Sequence, residues 1–171
     1  KRGAKVVITV DTGIAAHDAA IRAKELGIDF IVTDHHQQIG EVPKAFAVVN
    51  PNRKDDVSSL GYLSGAGVAF YVCLELRKIL RSEKYFEEKN IAEPDVRLWL
   101  DLFALATVAD CVDLVGENRP LVRAGLSQLL KTTRPGLAEL IRRSLNSAQS
   151  ISVRDISFSI APKLNAASRL G

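Results

Sequence analysis

Asp34-His35-His36 is the densest group of reactive side chains in the sequence, which holds only three histidines, the third being His17. One carboxylate and two imidazoles follow the β-branched run Ile31-Val32-Thr33. Such a run reads as a buried parallel strand. In open α/β sheets, ligands gather just beyond the carboxyl ends of those strands. Asp11 closes a second run, Val6-Val7-Ile8-Thr9-Val10, and Asp110 follows the apolar stretch Ala106-Thr107-Val108-Ala109. Carboxylates hold hard divalent ions, and mixed imidazole–carboxylate sets suit Mn, Fe or Zn. Asp11, His35 and Asp110 are therefore candidate ligands of a catalytic ion that activates water on a phosphate ester. A structural zinc is disfavoured, because Cys73 and Cys111 lie far apart and no Cys-x-x-Cys occurs. Neighbouring residues in extended chain point to opposite sides. His35 and His36 are thus expected to divide the work, one ligating and the other facing substrate.

Candidate phosphate contacts lie elsewhere. Arg169 offers a two-pronged donor and Lys163 a point charge, with Asn165 between them; two surface cations in a tail would read the same way. Gly65 and Gly67 stand before a helix, where backbone N–H groups can meet an anion, and a simple tight turn accounts for them equally well.

These residues need elements to position them. Val6 to Val10 reads as a buried strand, Ala15 to Leu26 as a helix stopped by Gly27, and Asp29 to Thr33 as the next strand. That strand–helix–strand unit implies a right-handed crossover and a parallel sheet, with Asp11 and Asp34 at one sheet edge. Ala45 to Val49 is a third apolar run, closed by Asn50-Pro51-Asn52. Val68 to Arg81 reads as a long helix and Glu83 to Glu93 as a charged connector. A helix capped by Asp95 leads to Asp110, placing it at or near an element end. Arg119 to Lys131 and Pro135 to Leu145 are two more amphipathic helices, and Asp155 to Ile160 reads as a strand. The fold class is α/β: three-layer, doubly wound, with a mainly parallel sheet flanked by helices and a mostly helical C-terminal part. A single domain over 1–171 is expected, its sheet core in 1–60 and its helical part in 61–171.

Composition narrows the setting. At 171 residues the chain can bury a sizeable core, and 47% hydrophobic with 25% charged residues is ordinary for a globular protein. No apolar run approaches the ~20 residues of a membrane span. Scattered cysteines suit a reducing cytosol, and no signal peptide is read at the start. A net charge of +3 leans towards anionic partners without deciding the matter. The sequence has no methionine and reads as a piece of a larger protein.

Six motifs occur in order: Val10-Asp11-Thr12-Gly13, Thr33-Asp34-His35-His36, Ala47-Val48-Val49-Asn50-Pro51, Ser64-Gly65-Ala66-Gly67-Val68-Ala69-Phe70, Leu105-Ala106-Thr107-Val108-Ala109-Asp110 and Pro162-Lys163-Leu164-Asn165-Ala166-Ala167-Ser168-Arg169. Together they closely resemble the DHH phosphoesterases and, within that family, the RecJ-type single-strand exonucleases; Glu117-Asn118-Arg119 with Gly125-Leu126 favours that branch. The resemblance implies two Mn²⁺ or Mg²⁺ ions and phosphodiester hydrolysis. It implies that Asp11 bridges both ions, that His35 and Asp110 ligate one of them, and that His36 faces the scissile phosphate. Asp34 would then support the histidines, and Arg169 would bind substrate with Asn165 nearby. It further implies single-stranded DNA as partner, 5′-to-3′ digestion, a role in DNA repair and recombination, and a cytoplasmic location. A single-strand-binding protein and a helicase are candidate further partners; no membrane is implied.

The family's first motif, an Asp-x-Asp cluster, has no counterpart before Asp11, and neither has the DNA-clamping C-terminal domain. These 171 residues alone are therefore expected to form at most one good ion site and to cleave poorly. Two other readings stand beside the exonuclease: a DHH phosphodiesterase on short oligonucleotides or cyclic dinucleotides, and a non-catalytic DHH scaffold in replication.

Overall fold

A computed structural model describes residues 3–146 and 149–167. The chain divides into two compact units, 1–73 and 74–171.

The first unit is built on three parallel strands, β1 (Val6–Val10), β2 (Asp29–Thr33) and β3 (Ala47–Val49), in the order β1-β2-β3. Helix α1 (His17–Glu25) makes the crossover between β1 and β2. Its small residues Ala20 and Ala23 let it lie close on the sheet, where they bury Phe30 and Val32, with Ala16, Ile28, Ala45 and Val48 around them. Register pairs Val10 with Thr33 and Thr33 with Val49. The residues that follow, Asp11, Asp34 and Asn50, therefore leave the sheet in one row.

β1 departs from its expected burial. Val6, Ile8 and Val10 are each about half exposed, so among the described residues this strand is an edge and only β2 is the buried centre. A Val/Ile run reports affinity for a sheet, not which flank is covered. The face of Val7 and Thr9 lies towards α1, in register with Phe30 and Val32. The face of Val6, Ile8 and Val10 is open.

Helix α2 (Gly65–Ser82) begins three residues before its expected start. Ser64, itself buried, accepts a hydrogen bond on Oγ from the Gly67 N–H at 3.1 Å. This is the N-cap arrangement, and it draws both glycines into the first turn.

The second unit is helical. The connector after α2 contains the short helix α3 (Tyr85–Glu88), shorter than periodicity can register. Asp95 caps a 3₁₀ turn, Val96–Trp99, which runs into α4 (Leu100–Ala109). α4 is apolar nearly all round and forms the centre of this unit. Against it lies α5 (Asn118–Leu129), brought close by Gly125. α6 (Pro135–Leu145) follows. Asp101, buried within α4, accepts hydrogen bonds from Thr132 Oγ1 at 2.8 Å and Arg134 Nε at 3.0 Å, so its charge is paired.

The expected strand at Asp155 to Ile160 is a helix instead. A turn, α7 (Val153–Asp155), continues through a π-helical stretch, Ile156–Ile160, into α8 (Ala161–Ala167). Ile156 and Ile160 are fully buried and Phe158 is exposed. The sequence Ile156-Ser157-Phe158-Ser159-Ile160 alternates apolar and polar residues like a strand, but the two isoleucines are four apart and share a helix face, which Phe158 does not. Ser152 and Asp155 form a reciprocal capping box, the local signal that decides for helix.

Candidate metal centre

The site is assembled where the three strands end. Asp11 has φ +63°, a left-handed conformation that Asp tolerates better than most residues. Thr9 Oγ1 donates to Thr12 O at 2.6 Å, tying the turn to the strand below. Gly13, at φ +119°, completes the turn; a Cβ there would lie 2.9 Å from Thr9 Oγ1 and from Val32 Cγ1.

Asp34 is 1% exposed and organises the loop around itself. Its Oδ1 accepts from the His35 N–H at 2.8 Å, the His36 N–H at 3.2 Å and His36 Nδ1 at 2.7 Å. Its Oδ2 accepts from the Ile14 N–H at 2.8 Å, which fastens the Asp11 turn to the histidine loop. Burial alone would raise the carboxyl pKa. The hydrogen bonds from the His36 side chain and from the Ile14, His36 and His35 amides outweigh it, and the net shift is downward. Asp34 is thus an anchor for the histidines.

The histidines do not diverge as extended chain would make them. Because both amides turn in to Asp34, the backbone leaves the strand pattern, and the two rings lie 4.6 Å apart at 60°. What separates them is exposure: 12% for the His35 side chain and 60% for that of His36. His35 Nδ1 lies 3.0 Å from the Leu63 carbonyl. A carbonyl can only accept, so Nδ1 carries the hydrogen and Nε2 is turned to Asp11 Oδ1, 3.1 Å away. A lone pair and a carboxylate oxygen at that separation repel unless a cation, a proton or a metal ion, lies against both. One ligand atom from each of Asp11, His35 and His36 falls within 4.8 Å of the others. The donor set fits a divalent ion, with the ligating imidazole held through its other nitrogen, as metal-bound histidines usually are.

Gly65 has a steric role beside the expected one. A Cβ there would overlap Asp11 Oδ1 and lie 2.5 Å from Asp11 Cβ and Cγ. The missing side chain is the room in which the Asp11 carboxylate sits. We expect Gly65→Ala to weaken Mn²⁺ binding ~10–100-fold, as for other residues that orient ligands, measured by Mn²⁺ electron paramagnetic resonance titration.

Of the remaining candidates, Gly67 gives its N–H to Ser64 and packs near Leu63. Asp110 is the C-terminal cap of α4, in the second unit. Lys163 donates to Ser144 Oγ at 2.8 Å from the exposed surface of α8, which also carries Asn165. Arg169 lies outside the described residues. Asn50 and Asn52, read from sequence only as strand-closing residues, prove to hold the histidine loop from the β3 side. Their types, Asx residues around a proline, signal a turn but not what the amides reach.

Three strand ends carry an anchored Asp-His-His loop with an aspartate opposite it, and the chain belongs to the DHH family: residues 2–107 match the DHH family, N-terminal domain. The relatives make the likeness more specific. Over 170 residues, 99% of this chain, it is 45% identical to the single-stranded-DNA-specific exonuclease RecJ of Salmonella typhimurium and 39% identical to that of Bacillus subtilis. It spans 30% and 20% of those two proteins. Among solved structures, RecJ from Thermus thermophilus in complex with Mn²⁺ matches 98% of this chain and 23% of its own, with a TM-score of 0.77 at 33% identity. Another exonuclease RecJ bound to manganese gives a TM-score of 0.77 at 34% identity.

Proposed function

We propose that the chain is part of the catalytic core of a RecJ-like exonuclease that hydrolyses phosphodiester bonds of single-stranded DNA with Mn²⁺ or Mg²⁺. The observation that carries this is the buried His35 Nε2 turned onto Asp11 beside an exposed His36. Asp11 and His35 bind the ion, and we assign Asp110 as a further ligand of it. A bound ion supplies positive charge against the phosphate and eases deprotonation of water near neutral pH. Leu63 O fixes the His35 tautomer. Asp34 holds His36 by Nδ1, so Nε2 is left to face a phosphate oxygen, as a general acid or a stabiliser of the transition state.

Asn165, Lys163 and Arg169 are assigned to the DNA backbone, and Gly65 serves through Asp11. Digestion from the 5′ end, service in repair and recombination in the cytoplasm, and work beside a single-strand-binding protein and a helicase complete the reading. Among the described residues no helix is long and apolar enough to cross a membrane.

The test is release of nucleotides by the intact protein from end-labelled single strands, duplexes and dinucleotides, with and without Mn²⁺. Mn²⁺-dependent loss from the 5′ end of the long single strand alone is expected. Faster turnover of the dinucleotide would move the assignment to a short-oligonucleotide phosphodiesterase, and no cleavage of any substrate would leave a scaffold.

A further inference from the structure

The two histidine carbonyls are held by two different side chains. Asn52 Nδ2 donates to His35 O at 2.5 Å and to Gly61 O at 3.1 Å. Asn50 Nδ2 donates to His36 O at 2.9 Å, and its Oδ1 accepts from the Asn52 N–H at 2.7 Å. Asn50 is 3% exposed. It follows β3, whose last carbonyl, Val49 O, takes the Asp34 N–H at 3.0 Å and so continues the β2–β3 pairing to the site. Gly61 leaves room for Asn52: a Cβ there would lie 2.6 Å from Asn52 Oδ1.

Asp34 thus grips the amide side of the loop and the asparagines grip its carbonyl side. Between these two grips His35 and His36 have little freedom to tilt, though both lie beyond the strand.

The geometry points to Asn50 and Asn52 as a pair of positioning residues with separate duties: Asn52 sets the ion-binding His35, and Asn50 sets the exposed His36. Each asparagine touches one histidine's carbonyl and not the other's, so their removal is separable in a way that general loosening of the loop is not. This rests on the division of labour proposed above for the two rings.

The experiment uses the intact protein with Asn52→Ala, Asn50→Ala and the milder Asn50→Ser, which keeps an acceptor for the Asn52 amide. His35→Ala and His36→Ala are carried alongside. Mn²⁺ affinity is read by electron paramagnetic resonance, kcat and KM on a single-stranded oligonucleotide, and folding by thermal unfolding. Asn52→Ala should weaken Mn²⁺ binding ~10–100-fold, the range found when the partner that orients a ligand is lost. The Asn50 variants should keep Mn²⁺ affinity within about 3-fold and lower kcat ~10–100-fold, with Asn50→Ser deciding if Asn50→Ala fails to fold.

Equal losses of affinity and turnover in both sets, tracking the fall in melting temperature, would overturn the inference and leave a purely structural clamp. Unchanged Mn²⁺ binding in His35→Ala would instead overturn the site assignment on which it rests. If His35→Ala loses the ion while Asn52→Ala retains it, the inference alone fails.

Discussion

Asp11→Asn in the intact protein is expected to fold as the parent does and to lose Mn²⁺-dependent cleavage of single-stranded DNA by more than ~100-fold, beyond the range for residues that only orient ligands. The choice of Asn matters. At φ +63° a residue with Cβ is strained, by about 1–2 kcal/mol on average, and Asp and Asn are the types that bear it most readily. Asp11→Asn therefore removes the charge while leaving the turn with a residue suited to it. Asp11→Ala removes both, and should add a loss of stability of about that strain. The paired measurement is calorimetric unfolding beside Mn²⁺ titration. Normal unfolding with normal Mn²⁺ affinity in Asp11→Asn would contradict the site as built.

The second large effect lies away from the site and concerns stability. A Cβ on Gly125 would overlap the Leu100 carbonyl oxygen and lie 2.5 Å from Ala104 Cβ. Alanine favours a helix over glycine by about 1 kcal/mol, so propensity alone would make Gly125→Ala stabilising. Backbone cannot rotate out of the way as a side chain can, and overpacking typically costs about 1–3 kcal/mol or more. Overlap should win, giving a net loss of up to about 2 kcal/mol and, for a chain of this size, a melting temperature lower by up to roughly 4–8 °C. Gly136, on α6, is the control, because a Cβ there meets nothing within 4 Å. Gly136→Ala should be neutral or gain up to ~1 kcal/mol. A stable Gly125→Ala would mean that α4 and α5 can separate without cost.

Much of the first unit is written in short-range pattern. Two β-branched runs separated by an alanine-rich helical repeat specify the crossover, and the acidic residues that end both runs give the edge where the chemistry lies. The DHH resemblance then supplies the roles that pattern cannot. Other features depend on what a residue touches across the fold. Glycine at 65 can mean a turn, an anion cradle or an avoided collision, and only the Asp11 carboxylate beside it reveals the third. The tilt between the histidines escapes strand periodicity because Asp34 gathers both amides and bends the chain. At Ile156 and Ile160 the two periodicities coincide, and the capping box of Ser152 and Asp155 is the better guide.

The half-exposed valines and isoleucine of β1 bear on how this stretch behaves in solution. Val6, Ile8 and Val10 share one sheet face, and among the described residues β1 is paired with β2 alone. A strand with an unsatisfied backbone row and a greasy flank is a template for like strands. Prepared by itself, the 171-residue polypeptide should self-associate as its concentration rises, visible as growing light scattering. Ile8→Lys should suppress that growth by placing a charge on the surface where two copies would stack.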